Sequence, residues 1–174
     1  MIAFRHGDSR FPFLWEDDAQ PPARWHRAGE GPVQYLSDTP TGAWAEFLRH
    51  EEITDESDLE GISRAMWAVR IDDSSFSSPQ LPDATLRGGI ETYTACQDEA
   101  AKLRNDGAAA ARTRSAALYE GAARGWRVEH GLQPGHDADG QVYILFGPRP
   151  EAVGWCVVSQ GRPPAGLLAL VRPL

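Results

Sequence analysis

The chain has 174 residues, 41% hydrophobic and 24% charged, with six Trp, six Phe and four Tyr. That is bulk enough for the core of one domain over 1–174, and it excludes a disordered chain. A net charge of −8 with no long basic run argues against direct nucleic-acid binding, which depends on neutralising phosphates. No stretch reaches the roughly 18 apolar residues of a membrane helix. The start, MIAFRHGDSRF, lacks the basic and apolar regions of a secretion signal, so a cytoplasmic location is expected.

Taken in chain order, IAFR (2–5) and VQYLS (33–37) read as strands. SDTPTGAWAEFLRH opens a helix, with Asp38 or Thr39 as its cap and Pro40 in its first turn. EEITDESDLE (51–60) reads as a solvated loop or helix start, and AMWAVRI (65–71) as the next strand. TACQDEAAKLRND is a second helix stopped by Gly107, and SAALYEGAAR a third, opened by Ser115 and closed by Gly125. The polar stretch RVEHGLQPGHDADGQ (127–141) reads as a loop; its His130, His136, Asp137 and Asp139 match no strong metal-ligand spacing. QVYILF (141–146), GWCVVS (154–159) and GLLALVR (166–172) read as late strands joined by Pro- and Gly-rich turns. The order lacks regular strand–helix alternation, so an α+β fold with mixed or antiparallel sheets is expected. Cys96 and Cys156 lie among apolar residues and read as reduced core thiols.

Chemistry-bearing residues concentrate early. Arg24, Tyr35 and Glu46 follow one another at intervals of eleven. On a helical wheel Ala43, Trp44, Phe47 and Leu48 form an apolar face, and Glu46 lies off it, toward solvent or a cleft. Periodicity leaves the ordinary readings open: a surface Glu46 paired with Arg49 or His50, a half-buried strand tyrosine at Tyr35, and a surface arginine at Arg24.

The segment ARWHRAGEGPVQYLSDTPTGAWAEFLRHE resembles the N-terminal signature of the RES domain family. The matches are Arg24-Trp25, Gly29, Tyr35-Leu36-Ser37, Ala43 through Glu46, and His50. Further on, AMWAVRI resembles the family's next strand, AAKLRNDGAAAARTRSAAL (100–118) places Ser115 on its serine, and QVYILFGPRPEAVG resembles its closing strand. The resemblance spans roughly residues 5–150. Two departures stand out: PPA replaces the usual glycines before Arg24-Trp25, and Arg114 replaces the proline before the serine.

The resemblance implies an ADP-ribosyltransferase-like fold with a cleft for NAD⁺. It implies a toxin that breaks the nicotinamide–ribose bond by phosphorolysis or hydrolysis and is held inactive by a cognate Xre-like antitoxin, with room for a homo-oligomer in that complex. NAD⁺ is then substrate rather than cofactor, with inorganic phosphate as co-substrate under phosphorolysis, and no metal is required. By resemblance, Glu46 stabilises the positive charge that develops on the ribose, Tyr35 abuts the nicotinamide, and Arg24 pairs with phosphate. Ser115 and Ser37 are implied as dinucleotide contacts. Arg5 supports a phosphate or forms a structural salt bridge, and His50 orients Glu46 or merely extends the helix. His26 and Arg27 are expected to face solvent. A catalytically silent interaction module of the same fold, and a transferase of ADP-ribose to protein, are the competing readings.

Overall fold

A computed structural model describes residues 1–174 apart from Pro12, Asp18 and Asp73, and apart from the side chains of Trp126, Arg127, Val128 and Leu132. The elements run β1 (Ile2–Gly7), β2 (Val33–Ser37), α1 (Pro40–His50), β3 (Arg64–Arg70), α2 (Asp83–Leu86), α3 (Tyr93–Asn105), β4 (Ala110–Arg114), β5 (Trp126–Val128), β6 (Leu132–Pro134), β7 (Gln141–Phe146) and β8 (Val153–Gly161). Short 3-10 turns occupy Glu56–Leu59, Ile90–Thr92 and Ala165–Leu170. Six strands form one sheet in the order β4-β7-β2-β1-β3-β8, with every neighbouring pair antiparallel. The fold is α+β. No helix is long and apolar enough to cross a membrane among the described residues.

Strand alternation divides the side chains between two faces. On one, the buried stripe of α1 (Ala43, Trp44, Phe47 and Leu48) packs with Met66 and Phe4 of β3 and β1. On the same face, Cys96, Ala100 and Leu103 of α3 cover Val33, Ala111, Val142 and Ile144 of β2, β4 and β7. The opposite face gathers Ala3, Leu36, Val69, Ala110, Tyr143 and Leu145 with Phe13, Trp67 and Phe76 from strand and loop. Fully burying a leucine such as Leu48 contributes about 1.5–3 kcal/mol, which makes the α1 stripe the main anchor of that helix. Thr39 caps α1, its Oγ1 accepting from the Gly42 N–H at 3.0 Å, and Pro40 occupies the first turn, where a missing N–H costs nothing.

Two expected elements fold differently, and one strand forms where none was expected. SAALYEGAAR is irregular because its backbone N–H groups are taken by other segments: Ser115 bonds the Gly140 carbonyl at 2.7 Å, Tyr119 that of Leu170 at 3.1 Å, and Ala123 that of Ala138 at 2.9 Å. Ser115 is thus not a helix cap; it follows β4 directly. AARTR, poor in β-formers, becomes β4 because it pairs with β7 at all five positions, tertiary context overriding propensity. GLLALVR is not a strand: after Pro163 and Pro164 it coils into the 3-10 turn that buries Leu167 against α1. Cys96 is buried as expected, but Cys156 is exposed on the edge strand β8. The polar 127–141 stretch contains the small hairpin β5–β6.

Candidate active site

Glu46 sits on the flank of α1, half-buried, where the apolar stripe gives way to the rim of the helical layer. β4 ends at Arg114, and the next residue, Ser115, is buried beside it. The Ser115 Oγ donates to Glu46 Oε1 at 2.6 Å and accepts from the Ala117 N–H at 3.1 Å. Residues 69 apart in sequence are thereby joined, and the hydroxyl has a single orientation. A carboxylate held this way is ready to face a developing positive charge without reorganising.

Beside this pair lies a concentration of arginines. The backbone at Ala23 and His26 closes on itself with reciprocal bonds of 3.0 and 3.3 Å, a tight turn with Arg24 and Trp25 at its tip. From there the Arg24 guanidinium reaches the end of α2. Its Nη2 donates to the Gly88 carbonyl at 2.6 Å, and its Nη1 to Thr92 Oγ1 at 3.0 Å and to the Thr85 and Leu86 carbonyls at 3.4 Å. The guanidinium also lies over the Tyr93 ring, 4.7 Å from its centroid. Arg49, almost fully buried, donates to the same Gly88 carbonyl at 2.7 Å and to the Pro173 carbonyl at 3.1 Å. Arg172 donates to the Arg87 carbonyl at 2.9 Å.

The cause is local. The last carbonyls of a helix have no intrahelical partner, and arginines here take that place. Gly88 allows the close approach: a Cβ there would stand 2.3 Å from Thr92 Cγ2 and 2.9 Å from the Ala84 carbonyl. Among the described residues no carboxylate lies within ion-pair distance of Arg24, Arg49 or Arg172. Burial lowers the Arg49 pKa, and the charges of Arg24 and Arg172 lower it further, with Glu46 pulling the other way. Arg172 is lowered for the same first reason, burial, and by the Arg87 charge.

Tyr35 points to the helical side of β2, opposite Ile144. Its hydroxyl meets two groups of the Arg24 turn: the Trp25 N–H at 3.1 Å and His26 Nδ1 at 2.8 Å. His26 Nε2 lies 2.9 Å from the Pro21 carbonyl. A carbonyl only accepts, so Nε2 carries the proton and Nδ1 of the neutral ring is the acceptor. Burial lowers the His26 pKa and keeps the ring neutral. Tyr35 therefore donates to His26 and accepts from Trp25. Burial also raises its own pKa above the usual phenol value, which keeps that proton in place.

A family model described as the RES domain matches residues 2–158. The chain belongs to the RES domain family. No curated protein matches the chain.

In this RES domain, Glu46 and Ser115 touch, and the Tyr35 hydroxyl braces the turn that carries Arg24. Glu46 and Arg24 both act electrostatically on Arg49. The other expected residues stand apart. Arg5 lies on the opposite face of the sheet, beside Trp67 in the strand pairing, and donates to Gln34 Oε1 at 2.5 Å; desolvation lowers its pKa to about 10. Ser37 is buried beneath the first turn of α1, its Cβ 3.1 Å from where a Cβ on Gly42 would be. His50 is exposed in the last turn of α1. His26, expected in solvent, is fully buried, because its ring closes the Tyr35–Pro21 link. Arg27 is partly exposed and pairs with Asp98 at 2.5 Å.

Arg172 escaped the sequence reading, and Arg49 entered it only as a surface partner for Glu46. Arg49 had one signal available: it stands three positions after Glu46 and so shares that side of the helix. Arg172 had none, since only the folded backbone brings residue 172 to the carbonyl of Arg87.

Proposed function

We propose that this RES domain consumes NAD⁺ by breaking its nicotinamide–ribose bond. The observation that carries the reading is the Glu46–Ser115 pair set beside arginines that, among the described residues, have no carboxylate within ion-pair distance. NAD⁺ presents the complementary pattern, a cationic nicotinamide riboside next to an anionic pyrophosphate. As the C1′–N bond breaks, its electron pair passes to the pyridinium nitrogen and nicotinamide leaves neutral. Positive charge then spreads over C1′ and the ring oxygen. Glu46 stabilises it, and Ser115 fixes which carboxylate oxygen faces the ribose.

The acceptor oxygen then bonds to C1′. Water yields ADP-ribose and releases one proton; phosphate yields ADP-ribose phosphorylated at C1′. Arg24 supplies charge to the pyrophosphate through its planar fork. Tyr35 is a positioning residue: both directions of its hydroxyl are committed to the Arg24 turn. NAD⁺ depletion in the cytoplasm would arrest growth, and an Xre-like antitoxin covering this rim would prevent it.

The test is NAD⁺ consumption by the purified chain, with and without inorganic phosphate, alongside Glu46→Ala. Parent protein is expected to release free nicotinamide and the variant to lose about 10²–10³ in rate, the usual cost of removing one preorganised electrostatic group. ADP-ribose as product names hydrolysis, and the C1′-phosphate names phosphorolysis. Intact NAD⁺ under both conditions would leave an interaction module instead. A tagged ADP-ribose appearing on protein would identify a transferase.

A further inference from the structure

The family match ends at residue 158, but the chain around the site continues. Beyond β8 the chain turns at Pro163 and Pro164, buries Leu167 against α1, and then runs beside residues 117–119. The Tyr119 N–H bonds the Leu170 carbonyl at 3.1 Å, the Arg172 N–H bonds the Ala117 carbonyl at 2.7 Å, and Val171 bridges Leu118. This is the stretch that begins with Ser115, so residues 162–174 are fastened directly to the segment that holds Glu46.

What they deliver is a guanidinium. Arg172 Nη1 donates to the Arg87 carbonyl at 2.9 Å and to the Ala116 carbonyl, next to Ser115, at 3.4 Å. The Pro173 carbonyl, one residue on, takes Arg49 Nε at 3.1 Å. Arg49 is 5% exposed and Arg172 is half-buried, so the pair has one enclosed member and one reachable from solvent. The carboxylates that face them, Glu46, Asp83 and Glu91, all stay beyond ion-pair distance of both. Like charges brought together on neutral carbonyls leave a site that an anion would complete.

We propose that Arg49 and Arg172, which share the Arg87 carbonyl, form a second anion-binding position beside Glu46, adjoining Arg24 at the Gly88 carbonyl, that takes a phosphate group. Two sources share that chemistry: inorganic phosphate and the pyrophosphate of the dinucleotide. The choice between them rests on the NAD⁺ reading; the binding itself does not.

The experiment is calorimetric titration of inorganic phosphate and, separately, ADP-ribose into folded parent, Arg172→Gln, Arg172→Lys and Arg10→Gln. Arg10 is an exposed arginine paired with Asp8 and serves as the control. Arg172→Gln is expected to weaken at least one probe by about tenfold or more, and Arg172→Lys by less, because lysine keeps the charge but loses the planar fork. Arg10→Gln is expected to match the parent. Weakening confined to inorganic phosphate assigns the position to the co-substrate; weakening confined to ADP-ribose assigns it to the dinucleotide. Equal affinities in parent and both Arg172 variants, or no binding of either probe by the parent, overturn the proposal. Should Arg172→Gln fail to fold, Arg172→Lys decides: weaker binding supports the site and unchanged binding overturns it. A parent that binds phosphate through Arg172 yet never releases nicotinamide would sink the NAD⁺ reading and leave this one standing.

Discussion

Two groups of arginines hold the α2 region, and they are built differently. Arg24, Arg49 and Arg172 rest on peptide carbonyls. Arg114, at the end of β4, rests on carboxylates: Asp139 at 2.8 Å, Asp83 at 3.4 Å and Glu120 at 4.0 Å. The same side chain does two jobs. Among carboxylates its charge is neutralised and the result is a structural tie. Among carbonyls its hydrogen bonds are satisfied while its charge stays available. On the proposed reading, the contrast marks the ligand side of the molecule better than burial does, since buried residues occur on both faces of the sheet.

The largest expected effect that breaks this contrast is Arg24→Gln. It removes a carbonyl-held charge and leaves up to four acceptors short of a donor. NAD⁺ turnover should fall by about 10² or more, with KM rising more than kcat falls, as steady-state kinetics would show. Tyr35→Phe comes next. It leaves the Trp25 N–H without its acceptor and the His26 Nδ1 without its donor, at a cost of about 1–3 kcal/mol in stability. Denaturant unfolding should read that loss, and the KM for NAD⁺ should rise with it as the Arg24 turn loosens.

Acid separates the two groups further. Asp139 is held below the usual carboxylate range, chiefly by the Gly121 N–H and also by Arg114. Its contribution is therefore present above the unfolded value and lost as pH falls through the lowered one. Carbonyls do not titrate, so the Arg24 group keeps its contacts. A second acid effect lies at higher pH. Burial holds His6, packed on Trp44 and Phe47, at about 3 against an ordinary 6.5. Between those values the unfolded chain takes up a proton that the folded chain refuses. Stability should then fall with decreasing pH by at most about 1.4 kcal/mol per unit, and His6→Phe should flatten that slope in thermal melts.

The smallest effect is Asp139→Asn. Breaking a partly exposed pair should cost about 1 kcal/mol or less at neutral pH and leave NAD⁺ turnover unchanged, and that cost should shrink as pH falls through the lowered Asp139 value. A large loss of turnover would mean that the carboxylate-held group also serves the ligand.

Legibility in the sequence followed the range of the forces involved. VQYLS and QVYILF show as strands because β-branched and aromatic residues fit a pleated surface, and α1 shows through its cap and apolar stripe. Those are local signals. AARTR shows nothing of the kind, and its strand depends on β7, some thirty residues later. SAALYEGAAR carries helix-forming alanines, yet its N–H groups are bonded by Gly140, Ala138 and Leu170. The site divides in the same way. Arg24, Tyr35, Glu46 and Ser115 came from family resemblance, because spacing alone left each with an ordinary reading. Arg5 matched as well, but strand parity sends it to the far face, since Arg5 pairs with Trp67 while Phe4 pairs with Ser37. His26 looked polar and loop-borne; its two ring partners, the Tyr35 hydroxyl and the Pro21 carbonyl, explain why it is buried.

The Gly88 carbonyl, shared by Arg24 and Arg49, has a kinetic consequence. On the proposed reading, an incoming phosphate would displace a neutral acceptor rather than a carboxylate. Among the described residues, no ion pair would have to dissociate from Arg24 or Arg49 for an anion to bind. When product departs, the peptide oxygen is still there to receive them. On that reading, the loop at the end of α2 would hold two buried guanidiniums in place between turnovers, within reach of the next anion.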